Sequence, residues 1–178
     1  LWSCVTSAYA STTTPDPELR QLLTHAIAES DSFQDRFDAE VWLLDMSQRM
    51  APLVPDTRDR LSLLRLIHYE AARAELMPEL VLAVIEVESR FDRYAISKAG
   101  AQGLMQVMPF WLKEIGRPGD SLFNVRTNLR LGCTILRFYL NKEKGNLTRA
   151  LARYNGSLGS YRYSNLVYRA LDRRWANF

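Results

Sequence analysis

Apolar residues in this chain recur three and four positions apart, and no stretch alternates apolar with polar over several residues. Leu61, Leu64, Ile67 and Ala71 form one such series, and Val81, Val84 and Ile85 form another, with Glu88 on the same face. Residues at that spacing share one face of a helix, whereas a half-buried strand needs a period of two. A chain patterned this way can bury its apolar stripes only by packing helix on helix. The expected fold class is all-α.

Helix-breaking residues divide the pattern. Phe33, Phe37, Val41, Leu44 and Met50 mark the apolar side of a first helix that begins at Asp31 and is closed by Pro52 and Pro55. Asp56 or Thr57 caps a second helix, and Pro78 suits the first turn of a third, which runs through Val87 to about Arg90. A fourth helix is expected over 104–115, a long one over 124–144 ended by Gly145, a short one over 147–154 and a last one over 163–175. A length of 178 residues suits one domain with a short extension. The expected division is 1–30 as leader remnant and linker, 31–56 as an N-terminal helical extension, and 57–178 as the main domain.

The first segment reads as an export signal. Leu1 to Ala10 is apolar and small and ends in Ala8-Tyr9-Ala10, the small-x-small pattern that precedes a secretory cleavage site. Ser11 to Pro17 then reads as a linker. Leu1-Trp2-Ser3-Cys4 loosely resembles a lipidation box, but Trp2 is too bulky for it, and membrane association is expected only if Cys4 is lipidated. No run approaches the roughly 18–20 apolar residues that span a bilayer. Cys133 lies in an apolar helical stretch and is expected to be buried, and His25 and His68 match no metal spacing. The net charge of +3 comes from Lys and Arg spread along the chain rather than gathered on one recognition helix, which argues against a helix-turn-helix nucleic-acid binder.

Three pieces could carry chemistry. Glu88 follows Val81, Val84 and Ile85 by seven, four and three residues, so its carboxyl emerges from an apolar stripe. Partial burial disfavours the charged form and raises a carboxyl pKa, as a general acid near neutral pH requires. Glu86, two positions away, should point elsewhere, toward solvent. Ser97 to Gln106 is small and flexible and then abruptly apolar with a terminal amide, a segment whose backbone can approach a ligand. Ala150 to Gly156 places Tyr154 and Asn155 at a helix end; alone, that is also an ordinary helix terminator.

In this order the pieces resemble the catalytic domain of the family 1 lytic transglycosylases, the soluble-lytic-transglycosylase type with a lysozyme-like, goose-type fold. Glu88-Ser89-Arg90-Phe91, Ala99 to Pro109 with its Gly103-Leu104-Met105-Gln106, and Ala150 to Gly156 carry the resemblance. Asn124 to Gly132 is similar to the family's Asn-x-x-x-Gly helix, with Asn124 and Asn128 both candidates for its asparagine. The chain departs from the family's Ala-Tyr-Asn-Ala-Gly, reading Arg153 to Ser157 there, and Tyr163 to Tyr168 stands where the family has Glu-Thr before a Tyr-Val helix.

The resemblance implies a peptidoglycan-cleaving enzyme of the bacterial cell envelope, exported to the periplasm, that needs no metal or cofactor and binds glycan strands rather than nucleic acid. Glu88 is implied as the catalytic acid and base, and Ser89 as a hydroxyl that orients it and the substrate. Met105 and Gln106 are implied to line sugar subsites. Tyr154 is implied to place its hydroxyl by the catalytic carboxyl, with Asn155 beside it at the cleft. A glycosidase usually employs two carboxylates. Here Asp92 falls at a helix end and Asp120 in a Gly-rich loop, so one carboxyl is expected to serve, with the substrate's own groups doing the rest. The rival readings are a goose-type lysozyme, which would hydrolyse the same bond, and a non-catalytic wall-binding scaffold.

Overall fold

A computed structural model describes residues 36–115 and 117–176. The expected signal remnant, the Cys4 box, the linker and Phe33 lie outside the described residues. Among those described there is no strand, only two isolated antiparallel pairings, Ile96 with Gln102 and Gln102 with Val107. The elements are α1 Arg36–Met50, α2 Thr57–Arg73, α3 Pro78–Ser89, α4 Phe110–Ile115, α5 Val125–Lys142, α6 Leu147–Tyr154 and α7 Arg162–Ala170, with a π-helical turn at Leu171–Trp175. The expected all-α class holds.

Polar caps start the helices where the sequence places them. Asp56 accepts from Asp59 N at 2.8 Å, Asn124 from Thr127 N at 3.1 Å and Asn146 from Arg149 N at 3.0 Å. Each satisfies a backbone donor that the first helical turn leaves unpaired. Pro78 opens α3, where its missing N–H costs nothing.

α3 is the axis of the domain. Leu80 to Ile85 are all buried, because α2, α7 and the terminal turn pack around this helix. A helix apolar on every side has nowhere stable but the interior. Trp175, fully buried, closes one end with its ring 5.7 Å from Phe91, and its indole N–H donates to Glu86 at 2.8 Å. α1 joins the same core through Leu43, Met46 and Met50.

Three expectations need correction. The buried face of α1 is Ala39, Leu43, Met46 and Met50, while Phe37 and Val41 are exposed; spacings of four, three and four fit a helix face better than the series first chosen. The fourth helix starts at Phe110 rather than at Leu104. Gln106 is left-handed, with φ of 49°, and Pro109 disfavours helix at the residue before it, so 104–109 is a turn. The last helix is not continuous to Trp175, because its final turn widens into the π geometry.

Candidate active site

Glu88 stands in the last turn of α3 and is half-buried. Burial lifts its carboxyl from an ordinary 4.5 up to about 7, although the Tyr163 hydroxyl, which donates to Oε1 at 2.6 Å, pulls it down. The lifting comes from desolvation rather than from a neighbouring carboxylate. Glu86, expected to face solvent, is instead buried, and is held by Trp175 and by Arg173 at 2.6 Å. Asp92 accepts from Tyr94 N at 2.8 Å, and Asp120 is tied to Arg130 at 2.6 Å. Glu88 is thus a lone carboxyl poised to be protonated at neutral pH and able to give that proton up.

Tyr163 was not among the expected site residues. It is buried on α7 with Val167 and Ala170, four and seven residues on, so its position on an apolar stripe was visible. That the stripe faces Glu88 was not, because no local spacing reports which helices meet. Tyr154, expected beside the carboxyl, donates to Met105 O at 2.7 Å and is near enough to feel the charge of Glu88. Burial first, and then the charge of Glu88, push both tyrosine hydroxyls well above the usual range. Both remain proton donors.

The segment after α3 folds over the helix end. Ser89 Oγ donates to Leu104 O at 2.8 Å and to Ile85 O at 3.2 Å, so it ties α3 to the loop rather than bonding to Glu88. Gln106 donates from Nε2 to Gly103 O at 2.9 Å and to Ala95 O at 3.2 Å, which commits its amide nitrogen to the loop. A hydrogen bond from this side chain to a ligand would use its carbonyl oxygen. Met105 is fully buried, with its sulfur 3.9 Å from the buried Cys133 thiol. A Cβ on Gly132 would come within 2.4 Å of that sulfur, so the bare glycine makes the slot that Met105 fills. The Met105 side chain is therefore core, and only its backbone could face a sugar. Asn155 is exposed at the end of α6.

Asn128 holds this loop from beneath. It is buried, accepts from Met105 N at 2.8 Å, and donates to Gln102 O at 2.8 Å and Leu122 O at 2.9 Å. Gly103 must be glycine here, because its φ is 76° and a Cβ would lie 2.5 Å from Leu122 O. Of the two candidate asparagines, Asn128 with Gly132 supports the loop, and Asn124 is a helix cap.

A family model described as the transglycosylase SLT domain matches residues 65–174, well over half of the chain. The chain belongs to the transglycosylase SLT domain family. The membrane-bound lytic murein transglycosylase C of Yersinia pestis (strain Pestoides F) is 35% identical over 126 residues, covering 61% of this chain and 35% of that protein. The chain thus spans about a third of the length of that relative. Among solved structures, the 70 kDa soluble lytic transglycosylase from Escherichia coli superposes with a TM-score of 0.50 at 23% identity, over 89% of this chain and 26% of that one. An inactive mutant of the lytic transglycosylase Slt from Pseudomonas aeruginosa gives 0.51 at 24% identity, over 85% and 29%. The SLT domain here accordingly has the all-α, lysozyme-like fold.

Within that SLT domain, the departure at Arg153 has a local cause. Its guanidinium pairs with Glu143, as does that of Arg149 at 2.5 Å, so the side chain braces α6 against the end of α5. Replacing Tyr163 by Phe should remove the bond that lowers the Glu88 pKa. The inflection of a pH–rate profile should then move above about 7, with a rate loss on the order of tenfold from poorer orientation. An unmoved inflection would show that the hydroxyl does not touch the group that titrates.

Proposed function

We propose that this chain is a peptidoglycan lytic transglycosylase that cleaves the β-1,4 bond between N-acetylmuramic acid and N-acetylglucosamine. The observation that carries the proposal is Glu88 itself, a half-buried carboxyl with a pKa near 7 and no carboxylate partner. In the first step Glu88 gives its proton to the glycosidic oxygen as the C1–O bond breaks, and the 2-acetamido carbonyl supports C1. In the second, the Glu88 carboxylate takes the proton of the sugar's own C6 hydroxyl as O6 bonds to C1. The product is a 1,6-anhydromuramoyl end, no water is consumed, and Glu88 returns to its starting state. Hydrolysis by a paired-carboxylate route would need a second acid or base beside the scissile bond.

The place of work is the bacterial cell envelope on the periplasmic side, where the glycan strands lie. Among the described residues no helix is long and apolar enough to cross a membrane. Residues 57–178 form the catalytic domain in this proposal, with 31–56 as the helical extension. Ser89 and Gln106 shape the loop over the cleft, and Tyr154 and Asn155 border it. Mass spectrometry of digested peptidoglycan tests the chemistry. Anhydro ends are expected; reducing ends, heavier by one water, would instead identify a goose-type lysozyme, and binding without cleavage would identify a scaffold.

A further inference from the structure

The inner face of α7 carries Tyr163, Val167 and Ala170, at spacings of four and three. Ordinary helical spacing would bring Arg173 or Arg174 to that face next. The terminal turn is wider, with Ala176 N donating to Leu171 O at 2.8 Å, and Trp175 is the side chain that reaches the interior. Its indole N–H donates at 2.8 Å to Glu86, two residues before Glu88. Its ring lies 5.7 Å from that of Phe91, three residues after Glu88. Arg90 and Phe91 are both left-handed, with φ of 52° and 68°, so α3 ends abruptly just past the acid. One side chain thus holds the backbone on both sides of Glu88.

Arg173 at 2.6 Å and Arg174 at 3.3 Å neutralise Glu86 from the same turn. Such a buried ion pair can serve to fix register more than to add stability. Tyr163, at the other end of α7, donates to Glu88 itself, so α7 and its turn are pinned to α3 at two points. The turn is in turn secured by α1. Arg49 Nη1 donates to Arg174 O and Ala176 O, both at 2.9 Å and on either side of Trp175, and Arg174 Nη1 donates back to Arg49 O at 3.1 Å. Asp45 orients the Arg49 guanidinium from 2.8 Å. We propose that Arg49 and Trp175 are positioning residues for Glu88: Arg49 fixes the terminal turn, and Trp175 carries that constraint to the end of α3. The proposal rests on the reading of Glu88 as the glycan-cleaving acid, and it makes α1 a working part of the catalytic unit.

The test follows the Glu88 carboxyl by carbon NMR in the full chain without substrate, its signal assigned by its loss in Glu88→Gln. In parallel, kcat and KM are measured on glycan strands. Among the described residues Arg49 bonds to neither Glu86 nor Glu88, and its side chain is 30% exposed, so Arg49→Gln should spare the fold. With the turn released, α7 shifts and the Tyr163 bond to Glu88 lengthens. The titration should then rise by about half a pH unit, because that bond favours the charged form. At unchanged KM, kcat should fall about tenfold, within what a small misplacement of a reacting group costs. Trp175→Phe, which alters no charge, should move both readings the same way. Arg49→Lys, which can still donate to the two carbonyls, should restore most of kcat. A titration in Arg49→Gln that stays put, or falls toward 4.5 as simple fraying would give, overturns the proposal, and so does a loss confined to KM. If the wild type releases no glycan fragments, the catalytic reading fails, while the titration still decides this one.

Discussion

Replacing Glu88 by Gln is expected to abolish most glycan cleavage, by about 10²–10⁴-fold, while leaving the domain folded. The amide keeps the shape of the carboxyl and can still accept from Tyr163, so the packing of α3 on α7 is preserved. What it cannot do is give up a proton to a leaving oxygen. In the wild type, activity should show a single descending limb, falling as pH rises through about 7, because the first step needs the protonated form. In the proposed mechanism no separate basic group is required, since the carboxylate produced in the first step is the base of the second.

The same substitution has a measurable effect on stability. The folded pKa of Glu88, about 7, lies above the ordinary 4.5, so the folded state holds more protons than the unfolded chain between those values. Its contribution to stability is fully present below pH 4.5 and is lost as pH rises through about 7. Above that pH the buried charge costs as much as about 3 kcal/mol, which Gln does not incur. Urea denaturation at pH 8 should find Glu88→Gln more stable than wild type, and at pH 4 nearly equal to it. Equal stability at both values would mean a solvated carboxyl, and the physical ground for its acid role would be gone.

Local chemistry was legible in the sequence where neighbours along the chain decide it. The cap at Asp56, the start of α3 at Pro78 and the apolar setting of Glu88 all depend on residues within one or two turns. Contacts across the fold were not legible. Tyr163 reaches Glu88 from 75 positions away, and its stripe alone could not name its partner. Met105 was expected at the cleft only because its place in the family motif implied it. It is buried because Gly132, on another helix, leaves room for it. In α1 the series through Phe37 and Val41 is a plausible face by spacing, and packing against α2 and the terminal turn selects the one through Leu43 and Met46 instead.

Replacing Asn128 by Leu should be the most destabilising single change in the supporting structure, at about 3–5 kcal/mol. The two side chains share the same branching and number of heavy atoms, so the overall shape is kept although the methyls are bulkier. The loss is polar: Met105 N and Leu122 O would lose buried bonds to Asn128, and Gln102 O a part-buried one. A buried group left unsatisfied costs about 1–3 kcal/mol. Asn128→Asp should rescue only the bond from Met105 N, since a carboxylate has no proton for the two carbonyls, and it should remain destabilised. The loop also carries Leu104, whose carbonyl receives Ser89 from the turn that bears Glu88. Loosening it should therefore lower kcat even at temperatures where Asn128→Leu is still folded, while the pH of the descending limb stays at that of the wild type. A variant with wild-type kcat below its melting transition would reduce Asn128 to a purely structural staple, and the loop would have no part in positioning the acid.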